Sequence, residues 1–305
     1  MDLIETYSNI RKSIVAIVRK YEMGAEGDPP PEIPFILGTG FIVDDGLVAT
    51  NDHIVKRIDS QPKPPNAPAE EWPVMCLMFI EMNECDFAIV PLNVLGKMII
   101  TAHDPQGAWY GDNIPDLGFI RVKAKGMPVL PLQTDWHVLQ EGMELATAGF
   151  PMGRDTLTAP GYLHHFGPTL QKGILSALLP FPKSRPHAFI LNVVSQGGQS
   201  GSPIFHPETG EVVGILYAGL EEPALTKEIK DVYLKPTAIT YGLPAGLIQS
   251  GIETARKLPD YPLPEDTLSL QQMIESYPRN ISDGKNSKTF ITKLSQQSIS
   301  ILQKK

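Results

Sequence analysis

Short runs of β-branched and aromatic residues, separated by proline and glycine, dominate the first 220 or so positions of the chain. Runs of this length and composition predict strands rather than helices. The ten clearest runs are residues 13–19, 38–45, 47–52, 74–82, 96–102, 117–123, 143–150, 188–194, 202–206 and 211–219. One small open sheet usually holds fewer strands. The pattern therefore predicts an all-β fold with two packed sheets or two barrels.

Turn residues punctuate these runs. Asp44, Asp45 and Gly46 form an Asp-Gly turn of the hairpin type between two of the strands, so the residues from His53 onward are expected at a strand end. Residues 60–73 are rich in proline, which has no backbone N–H to donate to a neighbouring strand. They are therefore predicted to form a surface loop.

The apolar spacing changes after position 240. Residues 243–257 have helical period and end in basic residues, and a proline-rich stretch follows at 258–266. Weaker helical patterns occur at 267–277 and 287–303. We therefore expect one domain over residues 1–257 and an extension over 258–305, a proline-rich linker with a helical tail. The tail is expected to pack on the barrels, bind a partner or mediate assembly.

Composition narrows the classes of function. The formal net charge of the 305 residues is -8, and no block of Lys and Arg occurs, which argues against nucleic acid or anionic lipid as partners. No apolar run approaches the roughly 20 residues that span a bilayer. The N-terminus lacks the order of a secretory signal, so a cytoplasmic location without membrane attachment is expected.

The chain has two cysteines, Cys76 and Cys85. They are too few for a disulfide framework and lack zinc-ligand spacing, so two reduced, packed thiols are expected, with a bridge between them left open. His164 and His165 are adjacent, which disfavours a shared metal, and they are expected in a loop. We expect no metal or cofactor.

The strongest chemical signal is residues 195–205, SQGGQSGSPIF, in which Ser200 lies between Gly198 and Gly201. A serine that attacks a carbonyl needs an uncrowded turn whose backbone N–H groups face the developing oxyanion, here those of Gly198 and Ser200. A Gly-Ser-rich turn alone is more often only a turn. The hypothesis therefore requires a histidine base and an acid that orients it.

Of the seven histidines, His53 alone follows a predicted strand end, in LVATNDHIV. Two aspartates compete for the orienting role: Asp86 in ECDFAIVPL and Asp116 in NIPDLGFIRV. Both open an apolar strand, so the local pattern does not separate them.

Taken in order, GTGFIV, ATNDHIV, PDLGFIRV, GQSGSPIF and GEVVGILYAG resemble the motifs of trypsin-like serine proteases, most of all the protease domain of the HtrA branch. The resemblance covers roughly residues 3–257. It implies two six-stranded antiparallel β-barrels with a catalytic cleft between them and the order His, Asp, Ser. The stretch after Asp116 is similar to that after the family's catalytic aspartate, so the resemblance favours Asp116, whose role would be to orient His53.

The chain departs from the family pattern. Gln199 stands where Asn or Asp is usual, and Ser202 replaces a glycine after the nucleophile. About 48 residues follow Lys257, too few for the PDZ domain of HtrA proteins. The differences at Gln199 and Ser202 do not remove a backbone N–H.

The same resemblance implies which residues form the pocket for the substrate side chain immediately before the cut. It places the base of the pocket at Val194 and one wall at Tyr217, Ala218 and Gly219. No carboxylate occurs among these positions, so cleavage after small or medium apolar residues is expected, and cleavage after Lys or Arg is disfavoured.

The sequence therefore predicts a serine endopeptidase that acts on proteins or peptides through His53, Asp116 and Ser200. Because free imidazole titrates near pH 6.5, the activity of this endopeptidase is expected to rise between about pH 6 and 8. One alternative is a latent or inactive protease-like module that binds peptides and awaits a partner or oligomerisation; another is an esterase or acyltransferase with the same triad. Oligomeric state is left open.

Overall fold

The computed structural model describes residues 2–21, 34–83, 86–100, 115–159, 163–164, 167–180, 186–225 and 232–276. Cys85, His165 and the helix predicted at 287–303 lie outside these residues. His164 lies in a two-residue strand rather than in the expected loop.

Six antiparallel strands close the first barrel, in the order β1-β2-β3-β6-β5-β4. They are β1 Ile14–Arg19, β2 Ile36–Asp44, β3 Leu47–Thr50, β4 Val74–Asn83, β5 Asp86–Ile99 and β6 Gly118–Val122. Asp45 and Gly46 form the predicted turn between β2 and β3, with Gly46 at a φ of 67°. Glycine adopts this left-handed conformation without steric cost.

Six further antiparallel strands close the second barrel, in the order β10-β11-β14-β13-β12-β7. They are β7 Glu144–Gly149, β10 Thr169–Leu179, β11 Ala188–Leu191, β12 Pro203–Phe205, β13 Val212–Leu225 and β14 Val232–Pro244, while β8 Thr158–Ala159 and β9 Leu163–His164 form a small separate sheet. The expectation of two six-stranded barrels is confirmed.

The helices are short and lie outside the barrels. They are α1 Leu3–Ile10, α2 Asp52–Ile58, α3 Arg154–Leu157, α4 Ala245–Ala255 and α5 Leu270–Ser276. No helix in the described ranges is long and apolar enough to cross a membrane. The patterns at 243–257 and 267–277 thus mark real helices, whereas α1, α2 and α3 were not predicted.

Each of the ten predicted runs lies on a strand, but β10 and β14 were missed. Most of β10 is half-buried or exposed, and its sequence TLQKGILSALL has no β-branched run. β14 carries Lys235 and Pro236 in its interior. Both become strands because they close the second barrel by pairing with neighbours, a tertiary effect that outweighs local preference.

Three apolar clusters form the core. One fills the first barrel around Ile42 and Ile120, and another fills the second barrel around Leu191 and Leu216. The third joins the two barrels and contains buried side chains from both. In it the rings of Phe79 and Phe150 lie with centroids 5.4 Å apart. Burial of this shared surface holds the barrels together and creates the junction at which the candidate residues meet.

The chain after α4 packs on the first barrel. Arg256 donates to Asp44 over 2.7 Å, and Tyr261 also donates to that carboxylate. Further along, Lys123 pairs with Asp266 at 2.5 Å, and Leu270 donates its backbone N–H to Lys125 over 2.8 Å. Packing of the tail on the barrel thus holds for residues up to 276.

Gly251 docks α4 against the first barrel. A Cβ added there would overlap the Phe119 ring, which is fully buried. We predict that Gly251→Ala lowers the free energy of unfolding by about 1–3 kcal/mol, because overpacking outweighs the better helix propensity of alanine. Denaturant unfolding measures the change.

Gly246→Ala is the matched control in the same helix. Its Cβ would lie 3.7 Å from the Thr134 carbonyl, an ordinary contact. We expect its stability to stay unchanged or to rise by up to about 1 kcal/mol. Equal losses in both variants would contradict the packing explanation.

Candidate active site

His53 is the second residue of α2. The helix starts because Asn51 is extended, with φ -87° and ψ 153°, and Asp52 places a carboxylate in the first turn. The apolar side chains Ile54, Val55 and Ile58 bury one face of the helix in the barrel. The His53 side chain is left 41% exposed, open to the surface on one side.

Asp116 holds His53 through both carboxylate oxygens. Oδ2 lies 2.6 Å from His53 Nδ1, and Oδ1 accepts the His53 backbone N–H over 2.9 Å. Asn51 Nδ2 donates to the Asp116 carbonyl over 2.9 Å. Because a carboxylate only accepts, Nδ1 carries the proton in this pair and Nε2 is left as an acceptor. The rival Asp86 opens β5, and its side chain lies outside the described residues.

Ser200 lies in a tight turn between β11 and β12. The backbone N–H of Gln199 donates to Gln196 over 3.1 Å, and both the N–H and the hydroxyl of Ser202 donate to the Gln199 carbonyl. Gly198 and Gly201 have φ values of 96° and 89°, a region that side chains disfavour. The turn therefore depends on the two glycines that flank Ser200 in the sequence.

Thr39 on β2 ties this turn to the first barrel. Its backbone N–H donates to the Ser200 carbonyl over 2.8 Å, and its hydroxyl donates to the Gly198 carbonyl over 2.7 Å. The same hydroxyl accepts the Phe150 N–H over 3.1 Å. Thr39 is fully buried, and these contacts satisfy it. The sequence analysis missed this residue, although a lone threonine inside an apolar strand signals a buried partner.

Gly38 brings the histidine and serine segments to one place. A Cβ there would lie 2.8 Å from Ile54 Cδ1 and 3.2 Å from the Ser200 carbonyl oxygen. Since Ile54 directly follows His53, both candidate residues border the same barrel junction. Within the described residues no hydrogen bond joins Ser200 Oγ to His53 Nε2. Such bonds often tighten only when substrate binds.

Two backbone donors flank Gln199. In the described part of the chain, neither the Gly198 N–H nor the Ser200 N–H has a protein acceptor, whereas the N–H between them is bonded. Gln199 itself is fully buried and accepts from the Gln196 N–H over 2.9 Å. The unusual Gln199 and Ser202 side chains thus act inside the turn and leave both outer donors available.

The positions expected to form the specificity pocket lie on two neighbouring segments. Val194 is 39% exposed. Tyr217 is half-buried against the shared core, and its ring centroid lies 6.1 Å from that of Tyr241. Burial raises the pKa of Tyr217, with smaller contributions from Tyr241 and the Asp116 charge.

Ser195 was missed as a neighbour of this region. A Cβ added at Gly219 would lie 3.0 Å from Ser195 Cβ, so the two segments nearly touch at this point. Ala218, the remaining expected position, is half-buried beside Gly219.

Among the residues the structure describes, no group of His, Cys, Asp or Glu is placed to hold a metal ion. Cys76 is buried, which raises its thiol pKa to about 12.

The chain is similar to solved structures of low sequence identity. Two similar solved structures are Rv3671c from M. tuberculosis H37Rv, in an inactive mutant form, and the HtrA-type protease AlgW with a decapeptide. Rv3671c has 15% identity over 83% of this chain and 92% of its own, with a TM-score of 0.46. AlgW has 14% identity over 83% and 67%, with a TM-score of 0.48.

No curated protein sequence matches the chain. The sequence model of the trypsin-like peptidase domain, however, matches residues 38–215. This match covers more than half of the chain, and it includes His53, Asp116 and Ser200. The chain belongs to the trypsin-like peptidase family.

Proposed function

We propose that this protein is a serine endopeptidase in which Ser200 is the nucleophile, His53 the general base and Asp116 the group that orients His53. The observation that carries the proposal is the pairing of Asp116 with both the ring and the backbone N–H of His53, at 2.6 and 2.9 Å. This pairing aligns the imidazole and selects the tautomer whose Nε2 accepts a proton.

The reaction follows from these positions. As the Ser200 oxygen bonds to the scissile carbonyl carbon, its proton passes to His53 Nε2. The imidazolium returns that proton to the departing amine when the C–N bond breaks, leaving an acyl-enzyme. Water then repeats the sequence, with His53 again taking a proton, and releases the acid and free Ser200. Asp116 stabilises the imidazolium and stays ionised.

The N–H groups of Gly198 and Ser200 stabilise the tetrahedral oxyanion. Their lack of protein acceptors in the described chain supports this role, because preorganised donors need no rearrangement at the moment of reaction. Removal of one such donor in comparable enzymes costs about 10²–10³ in kcat. The same free donors favour an active enzyme over the latent peptide-binding module.

Fluorophosphonate labelling tests the nucleophile. We predict that a fluorophosphonate probe labels the wild type at Ser200, because an activated serine reacts and an ordinary one does not. Ser200→Ala should not be labelled, and His53→Ala should be labelled at least about 100-fold more slowly. Ser250→Ala, which makes the same change at an exposed position of α4, is a matched control and should keep the label. Mass spectrometry of labelled peptides locates the adduct.

Labelling that persists in Ser200→Ala would disprove the assignment of the nucleophile. A folded wild type that is neither labelled nor active on casein would instead support the latent module. Turnover of esters without turnover of amides would support the esterase alternative.

Thr39 is proposed as a positioning residue for the oxyanion donors. We predict that Thr39→Val lowers kcat by about 10- to 100-fold with little change in KM, because the Gly198 carbonyl loses its anchor and the donors shift. Thr39→Ser keeps the hydroxyl and should retain most of kcat. Steady-state kinetics on a peptide substrate measures both.

Stability provides the check on this variant. Thr39→Val should also lose about 1–3 kcal/mol of unfolding free energy, since the buried Phe150 N–H and the half-buried Gly198 carbonyl lose a partner. Assays must therefore be run where the variant is fully folded. A variant that is destabilised but keeps the wild-type kcat would refute the positioning role.

Selectivity is proposed from the pocket segments. A Cβ added at Gly219 would lie 3.0 Å from Ser195 Cβ, so little room separates the two segments, and no carboxylate occurs at Val194, Ser195 or residues 217–219. We predict that cleavage of a peptide library occurs after small or medium apolar residues, because a Lys or Arg there would be desolvated without a counter-charge. Dominant cleavage after Lys or Arg would contradict this.

A further inference from the structure

A cleft of about 350 Å³ lies between the first barrel and the chain that follows α4. β3, β5 and β6 form its barrel side, and the end of α4 and residues 258–264 form its cover. Small-molecule sites in proteins usually have volumes of roughly 300–1,000 Å³. The described residues that line the cleft include none of the candidate active-site residues. The cleft is therefore a separate candidate site for a small molecule.

Gly96 keeps the barrel side of this cleft open. It lies opposite Arg121 in the pairing of β5 with β6, so side chains at these two positions share a face of the sheet. Phe119 shares that face with Arg121, because alternate residues of a strand point the same way. A Cβ added at Gly96 would lie 3.9 Å from Arg121 Cβ, and no other described atom beyond its chain neighbours would lie within 4 Å. A larger side chain at position 96 would therefore extend into the cleft.

The walls of the cleft are mainly apolar. Leu95 and Met98 lie on the barrel side, and Leu258, Pro262 and Pro264 lie on the cover. Leu95 is 37% exposed and Leu258 is 42% exposed, so both present apolar surface to solvent on opposite sides of the cleft. Removal of such surface from water by an apolar ligand is favourable. The walls thus fit the hydrocarbon part of a ligand.

Arg121 gives the cleft a cation whose hydrogen bonds go to uncharged groups. Its Nη1 donates to the Asp45 carbonyl over 2.7 Å, its Nη2 donates to the Tyr261 carbonyl, and its buried Nε has no partner in the described chain. Burial lowers the pKa of this guanidinium, and nearby acidic groups offset only part of that effect. A carboxylate bound beside Arg121 would stabilise its charge, since a guanidinium pairs well with carboxylates.

Two other charged residues line the cleft. Lys97 lies on the barrel side and pairs with Asp59, whose side chain is 68% exposed. Asp260 lies on the cover, is exposed and has no ion-pair partner within the described ranges. Lys97 adds to the attraction for an anion and Asp260 opposes it, so the lining has two cations and one carboxylate. This balance favours a ligand with one negative charge over a cationic ligand.

We propose that this cleft binds a small amphiphile that has an apolar body and one carboxylate. The carboxylate lies at Arg121 and Lys97, and the apolar body lies between Leu95 and Leu258. Such a ligand contacts the barrel and the cover at once, so it stabilises the packing of residues 258–264 on the barrel. The proposal does not depend on the peptidase function.

Calorimetric titration of the full chain with octanoate tests the proposal. Octanol and octylammonium are the matched probes, because they keep the chain length and replace the carboxylate with a neutral or a cationic group. We expect octanoate to bind about five- to tenfold more tightly than either, as a half-buried cation in the site should favour an anion. Octanoate should also raise the melting temperature in proportion to its occupancy.

Gly96→Leu tests the location of the site. Its side chain would occupy the cleft, so octanoate should bind at least about tenfold more weakly than to the wild type. Gly96→Ala is the matched control: it adds a single methyl group in ordinary contact and should keep most of the affinity. Thermal unfolding shows whether both variants are folded before the titration.

Two charge variants test the orientation of the ligand. Arg121→Gln should remove most of the preference for octanoate over octanol, and Asp260→Asn should raise the affinity for octanoate about two- to threefold. No saturable binding of octanoate up to about 10 mM would overturn the proposal. Equal binding to the wild type and to folded Gly96→Leu, or equal affinities for octanoate and octylammonium, would also overturn it.

Discussion

The contact between β2 and the Ser200 turn is the constraint on which the candidate site depends. Thr39 bonds the Ser200 carbonyl through its backbone and the Gly198 carbonyl through its hydroxyl; Thr39 is fully buried, and both acceptor residues are half-buried. If these hydrogen bonds were broken, polar groups would be left unpaired in an apolar junction, and each would lower the free energy of unfolding by about 1–3 kcal/mol. The first barrel therefore fixes the backbone of a turn that belongs to the second.

Glycine makes this contact possible. Side chains at Gly38 or Gly201 would occupy the space in which β2 meets the turn, since a Cβ at Gly201 would overlap the Thr39 carbonyl. The same closeness carries Ile54, and with it α2 and His53, towards Ser200. One small region of backbone thus links the proposed base, the proposed nucleophile and the proposed oxyanion donors, whereas Asp116 reaches His53 from just before β6.

The second barrel leaves a strand edge open beside the Ser200 turn. Its β13 strand is bonded to that turn at Leu216 and continues outward with one edge unpaired in the part of the chain that the structure describes. Exposed strand edges are an aggregation hazard, and natural proteins limit them with charge and proline. Glu221, Glu222 and Pro223 have this character.

Much of the fold was predictable because strand formation has a local signature. The ten apolar runs, the Asp45-Gly46 turn and α4 were all visible in the pattern of residues. β10 and β14 were not, because their strand structure comes from closing a barrel. The helix α2 was missed as well, since its buried face becomes apparent only once the barrel that it covers is known.

The candidate site divides in the same way. The residue types, their order and the glycines around Ser200 indicated a serine nucleophile with a histidine base, since this chemistry needs these groups. The tertiary structure brought Asp116 to His53, Thr39 to the Ser200 turn and Ser195 to Gly219. Those contacts join residues far apart along the chain. Distance in space depends on how the two barrels pack, which no local pattern encodes.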